Sequence, residues 1–166
     1  MNIWQFQERL AAILLGWATA SIGAGFRLNR YREPLQQGMG EQFIGWGLIN
    51  GVIAAFGATS AKRRRQLPDA TNRATQSAER RKLARLLWLN TGLDVLYILG
   101  GALTIIGRGT RDERWRGRGL GIVIQGGFLF FFDLINALLL GRLPEKVGSR
   151  VGDGASDGLG DNAQSL

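Results

Sequence analysis

Two carboxylates, Asp94 and Asp133, stand inside otherwise uncharged apolar stretches and are the residues of this chain best placed to do chemistry. Asn90, Asp94, Tyr97 and Gly101 follow i, i+4, i+7, i+11 spacing, which sets them on one narrow face of a helix. Gln125, Asp133 and Asn136 fall within a sector of about 80° at 3.6 residues per turn. Asn50 lies in the middle of another apolar stretch. No lysine or arginine shares any of these stretches, so neither acid has a cationic partner beside it. Three physical solutions stay open. The acids are held protonated by desolvation or share one proton, because two adjacent negative charges are not tolerated. They accept hydrogen bonds from Asn50, Asn90, Tyr97 and Gln125. Or they bind a cation arriving from the aqueous side. The chemistries this pair serves are proton or cation exchange and, as a paired acid and base, catalysis. The structural alternative is plain hydrogen-bonded glue between helices.

The absent residue types narrow the field. With no cysteine there is no disulfide, thiol nucleophile or thiolate metal site, and with no histidine the commonest general base and the usual zinc or haem ligand are missing. No cofactor and no metal are expected.

The elements that must position the acids are four apolar windows, Leu10–Phe26, Phe43–Ala61, Leu86–Gly107 and Gly119–Leu140. Each approaches the roughly 20 residues that a helix needs to cross a bilayer. The first two hold no charge, the third only Asp94 and the fourth only Asp133. The mean hydropathy near zero averages apolar windows with arginine-dense loops. A soluble helix would carry a charged stripe, and 43–61 has none. The expectation is an all-α fold: a four-helix transmembrane bundle over 1–147, followed by a disordered tail over 148–166 rich in Gly, Asp and Ser. Ala18-Thr19-Ala20 fits a signal-peptidase site, but the apolar stretch continues to Phe26 and the first window reads as an uncleaved helix.

Charge orients the bundle. The segment 62–85 carries nine Lys or Arg residues, which places it and both termini in the cytoplasm of a multi-pass protein of the cell membrane. The balance is 13 basic residues inside against 8 outside, and the short turn 108–118, with five arginines, runs against the rule. Under this topology Asp94 lies eight residues past Leu86 and Asp133 seven before Leu140. At 1.5 Å per residue both sit about 10–12 Å from the inner ends of adjacent antiparallel helices, so they meet at one level. A helix start near Asp69 or Thr71, after Pro68, carries the third helix out into the cytoplasm.

The net charge of +8 points to the membrane surface rather than to nucleic acid, because the basic residues lie between apolar windows. Arg63, Arg64 and Arg65, and Arg116 and Arg118 beside Trp115, are expected to contact anionic lipid headgroups. Trp4, Trp46 and Trp88 near window ends read as interfacial belt residues. Small residues at four-residue spacing, Gly16-Ala20-Ala24 and Gly47-Gly51-Ala55, suggest close helix packing. Gly117, Gly119 and Gly121 lack a preceding strand and a Walker lysine, so they read as a flexible helix start rather than a phosphate cradle.

As a set, Trp46-Gly47 with Asn50, Leu89-Asn90-Thr91-Gly92-Leu93-Asp94 with Tyr97, and Gly119, Gly121, Gln125-Gly126, Phe128-Leu129 and Asp133 resemble a family of small, uncharacterised four-helix bacterial membrane proteins. The resemblance implies a helical membrane fold and no activity. The leading expectation is a non-enzymatic membrane protein whose polar core fixes the bundle as a structural or assembly component, with a homo-oligomer and the lipid bilayer as partners. The alternatives are a proton- or cation-coupled transporter subunit using the Asp pair, and a membrane enzyme acting on lipid headgroups with the arginines of the 108–118 turn.

Overall fold

The computed structural model describes residues 2–142. It holds four helices, α1 (Ile3–Leu28), α2 (Pro34–Arg65), α3 (Arg73–Gly107) and α4 (Glu113–Arg142), and no strand among the described residues. The expected tail, 148–166, lies outside them, as do residues 143–147 of the expected domain. All four helices are long and apolar enough to cross a membrane.

Each helix outruns its apolar window, and local chemistry explains how. Asn2 caps α1 in a reciprocal box: its side chain accepts from the Gln5 amide at 2.9 Å while Gln5 Oε1 accepts from the Asn2 amide at 3.2 Å. Pro34 opens α2 at a position where its missing N–H costs nothing. The third helix does start ahead of its window, but its cap is Asn72, whose side chain accepts from Ala74 at 3.0 Å, and not Asp69 or Thr71. Asp112 caps α4 by accepting from the amides of Arg114 and Trp115 at 2.8 and 3.3 Å.

Successive helices run antiparallel, and α1 packs on α2, α3 on α4, and α2 on α4. The start of α1, the α2–α3 turn and the end of α4 thus share one end of the bundle, here called the basic end. Arg65 meets Glu8 there at 3.2 Å, and Arg80 caps α4 by donating to the Leu140 and Gly141 carbonyls at 2.8 and 3.1 Å. The burial pattern is inverted relative to a protein in water. Phe56, Leu103 and Ile106 are 72, 69 and 69 % exposed, whereas Ser21, Asn50, Thr91, Asp94, Gln125 and Asp133 are buried.

The two ends are held by different means. At the basic end Ile3, Trp4, Phe6, Leu10, Leu87 and Leu140 form a cluster of large side chains on α1, α3 and α4, to which α2 contributes no member. Trp4 is buried in it and donates to the Ala70 carbonyl at 3.0 Å, so it is a core residue and not an interfacial belt. Trp46 also turns inward, its ring meeting the edge of Tyr97, while Trp88 is half exposed as a belt residue would be.

At the opposite end the backbones themselves touch. A Cβ on Gly25 would lie 2.8 Å from the Gly40 carbonyl and one on Gly40 equally close to the Gly25 carbonyl; Gly101 and Gly119 stand in the same reciprocal relation across α3 and α4. Gly38 and Gly117 bring α2 and α4 together, each leaving no room for a side chain against the backbone of Arg114 and Leu35 respectively. Gly117, Gly119 and Gly121 are therefore not a flexible start. Two residues turn a helix by about 200°, so 117 and 121 face α2 while 119 faces α3. The expected lines are corrected too: Gly16 and Ala55 face outward, and Ala18, Ile22 and Gly25 are what α1 lays against Gly47 and Gly40.

Candidate functional site

The polar residues separate into two nodes of unlike character. The first joins α1 to α4. Gln125, fully buried, donates to Ser21 Oγ at 3.1 Å and accepts from Trp17 Nε1 at 2.9 Å. Trp17 in turn stacks on Phe128 with ring centroids 3.8 Å apart. Every polar group in this node has a partner of matching sense, which is what glue between helices requires. Gln125 is thus not a donor to the acids.

The second node holds the acids. Asp94 on α3 and Asp133 on α4 are both buried and lie within hydrogen-bonding reach of each other, and Asn90 lines the same cavity as Asp133. The matched depth read from the sequence brings them together because Gly101 and Gly126 let α3 and α4 run in close contact on the clamped side of the pair. The node is not closed on itself. Asp94 Oδ2 and Asn50 Nδ2 are buried with no partner among the described residues. A contact between two carboxyls is a hydrogen bond only when one of them carries a proton. Tyr97 is 41 % exposed, with its ring on Trp46, and Asn136 donates to the Phe132 carbonyl of its own helix at 2.7 Å. Of the seven residues expected in one polar cluster, the structure brings together Asn90, Asp94 and Asp133; Asn50 is buried on α2.

A cavity of about 620 Å³ leads to this node from the basic end. Its walls are the C-terminal half of α2 and the N-terminal half of α3, with Leu10 and Leu14 of α1 and Phe132 of α4 between them. Asn90 and Asp133 line its inner part, and Arg64, Arg81, Lys82 and Arg85 line its mouth. It lies in the gap between α2 and α3, because α2 packs on α1 and α4 and hardly on α3.

At the other end the arginines have a different task. Arg114 is ion-paired with Glu41, and Arg118 Nε donates to the second Glu41 oxygen at 2.8 Å. Arg108 and Arg118 also lie over the Trp115 ring at 4.6 and 4.7 Å. Glu41 lies ahead of the uncharged stretch 43–61. Partial burial works to raise its carboxyl pKa, but the hydrogen bonds and charges of Arg114 and Arg118 outweigh that and hold it below the ordinary 4.5. Sequence reasoning passed over Glu41, since 73 residues separate it from Arg114. Arg116 and Arg63 are exposed, whereas Arg64 is engaged with Glu79 and Arg65 with Glu8. Among the described residues no group of three or more potential metal ligands occurs.

A family model described as "Family of unknown function (DUF6992)" matches residues 13–134, a span that includes both acids and Glu41. No curated protein and no solved structure matches the chain.

Proposed function

Because the chain belongs to the DUF6992 family, whose function is unknown, its activity has to be read from its own geometry, and we propose that it is an integral membrane protein in which Asp94 and Asp133 hold one exchangeable proton reached from the basic end. The observation that carries this reading is the cavity that brings Asp133 and Asn90 within reach of the basic end, while Asp94 stays buried. Two touching carboxyls are stable with one proton between them and unstable with none. A proton reaches such a pair through water and needs no ligand set beyond the two carboxyls. A metal cation takes more ligands than one carboxyl pair supplies, and among the described residues no group of three or more potential metal ligands occurs. The proton alternative is therefore favoured over the cation one.

The closed Gln125–Ser21–Trp17 node supports a second, structural role for the polar core, acting beside the acid pair rather than through it. The headgroup-enzyme reading loses support, because it needs the arginines of the 108–118 turn, and the cavity opens at the other end of the bundle.

The inverted burial and the four spanning-length helices support membrane insertion. The basic end is proposed to be cytoplasmic on its lysine and arginine count. The clamp eases the conflict noted for the 108–118 turn, since Glu41 binds Arg114 and Arg118 and offsets one of their two charges.

Asp133→Asn and Asp94→Asn keep shape and hydrogen-bonding capacity but remove the exchangeable proton. Both variants should insert and fold like wild type. In proteoliposomes, wild type should show a protonated-carboxyl infrared band that follows the pH set at the basic end, and this band should be lost or moved in both variants. An identical band in all three would exclude the pair as the proton site.

A further inference from the structure

The cavity has more room than a proton requires, and its lining changes character with depth. At the mouth are Arg81, Lys82 and Arg85 on α3, facing Arg64 and Glu79, which pair with each other. Among the described residues the three α3 cations have no carboxylate partner, so the mouth is locally positive. Below them the lining is aliphatic: Leu10 and Leu14 of α1, Ile53 and Ala54 of α2, Leu86 and Leu89 of α3. Ile53, Leu86 and Leu89 are each more than half exposed, so this part also opens sideways between α2 and α3. At 1.5 Å per residue Asn90 lies about 7 Å deeper along α3 than Arg85. The combination of environments, positive at the mouth and then an aliphatic lining that carries Asn90 and Asp133 on one side, matches one class of molecule.

We propose that this cleft is a binding site for a single anionic phospholipid, its phosphate held by Arg81, Lys82 and Arg85, and an acyl chain laid along Leu14, Ile53 and Leu89 between α2 and α3. The proposal rests on the membrane reading and not on the proton reading. Charge complementarity selects an anionic head, and basic pockets between spanning helices are suited to such heads. A free anion would satisfy the mouth and leave the apolar lining unfilled. The volume is that of a small-molecule site, too small for a helix of a second copy. The glycerol and ester region would lie level with Asn90 and Asp133, whose polar atoms line the same wall.

Two variants separate the head from the tail. R81Q/K82Q/R85Q removes the charge and keeps the groove. Gly57→Phe fills the groove and keeps the charge; Gly57 lines the cavity, and a Cβ there meets nothing within 4 Å, so the ring has room to enter. The full chain is released from nanodiscs of mixed phosphatidylglycerol and phosphatidylcholine, and its bound lipid is counted by native mass spectrometry, with helicity and elution volume checked for each variant. Wild type should retain one phosphatidylglycerol and no phosphatidylcholine. Retention should fall roughly fivefold or more in R81Q/K82Q/R85Q, the scale set by charges near a membrane surface, and should also fall in Gly57→Phe, where the acyl chain loses its place. Full retention in folded Gly57→Phe would reduce the effect to surface charge and overturn the site. Equal retention of phosphatidylcholine, or displacement by millimolar inorganic phosphate, would overturn the headgroup and the tail assignment respectively. Failure of wild type to enter nanodiscs at all would instead contradict membrane insertion.

Discussion

The two ends of the bundle solve the same packing problem in opposite ways. At the clamped end, helices meet backbone to backbone through Gly25 and Gly40, Gly101 and Gly119, and Gly38 and Gly117. Glu41, Arg114, Arg118, Trp115 and Arg108 then tie α2, α4 and the α3–α4 turn together. At the basic end, Trp4, Phe6 and Leu140 hold three helices together, and α2 packs on α1 through Ala54 and Ala61 but stands off from α3. Glycines in that half, Gly57, Gly92 and Gly141, touch nothing. The difference teaches where function has room. Helices packed without side chains leave no space for a ligand, whereas a core built from large residues on three helices leaves a cleft beside the fourth. The acid pair sits at the junction, with Asp94 on the closed side and Asp133 on the open one.

The largest effect is expected from forcing the closed end apart. Gly117→Leu places its side chain into the Leu35 backbone, where neither partner can yield, and should abolish the folded bundle or destabilise it by about 3 kcal/mol or more. Gly57→Ala, at the open end, should change stability by less than about 0.5 kcal/mol. Unfolding in mixed detergent, followed by helix signal, measures both. Equal tolerance at the two sites would erase the distinction between the ends.

A smaller effect should come from the closed polar node. Gln125→Leu leaves Trp17 Nε1 and Ser21 Oγ without their partners and should cost about 1 kcal/mol, with the carboxyl infrared band of the acid pair unchanged. Loss of that band in a folded Gln125→Leu protein would merge the two nodes into one.

The smallest effect is a pH dependence of the clamp. Because the folded Glu41 carboxyl lies below its ordinary 4.5, its contribution is fully present above that value and is lost only as pH falls through the lowered one. Glu41 is partly exposed, so the contribution is modest, about 1 kcal/mol or less. Stability should fall between pH 5 and 3 by a larger amount in wild type than in Glu41→Gln, and the two should show parallel profiles above pH 5. The same fall in both would remove Glu41 as its source.

Much of this was legible in the sequence where the signal is local. Apolar windows located the four helices, and counting residues from Leu86 and Leu140 set Asp94 and Asp133 at one level. The helix ends were misjudged because α2 begins in polar residues, 34–42, that hydropathy discounts, and because the Asn2–Gln5 capping box was passed over. What failed needed pairing across the bundle. Glycine spacing alone did not separate Gly47, which meets α1, from Gly16, which faces outward. Helical phase placed Gln125 near Asp133, but the eight residues between them amount to about 12 Å along the axis, and Gln125 finds Ser21 instead. Trp4 looked interfacial from its place near a window end, yet the Ala70 carbonyl and the α2–α3 turn cover it.

The central claim, that water reaches the acid pair from the basic end and not from the clamped end, is tested most directly by cysteine accessibility, for which a chain without native cysteine provides a silent background. Asn90→Cys, on the cavity wall, and Gln125→Cys, in the closed node, are prepared in sealed vesicles of both orientations and treated with a small charged, membrane-impermeant thiol reagent. The account predicts rapid modification of Asn90→Cys from the basic side only, and none of Gln125→Cys from either side. Modification of Asn90→Cys from the clamped side, or from neither side, would contradict it.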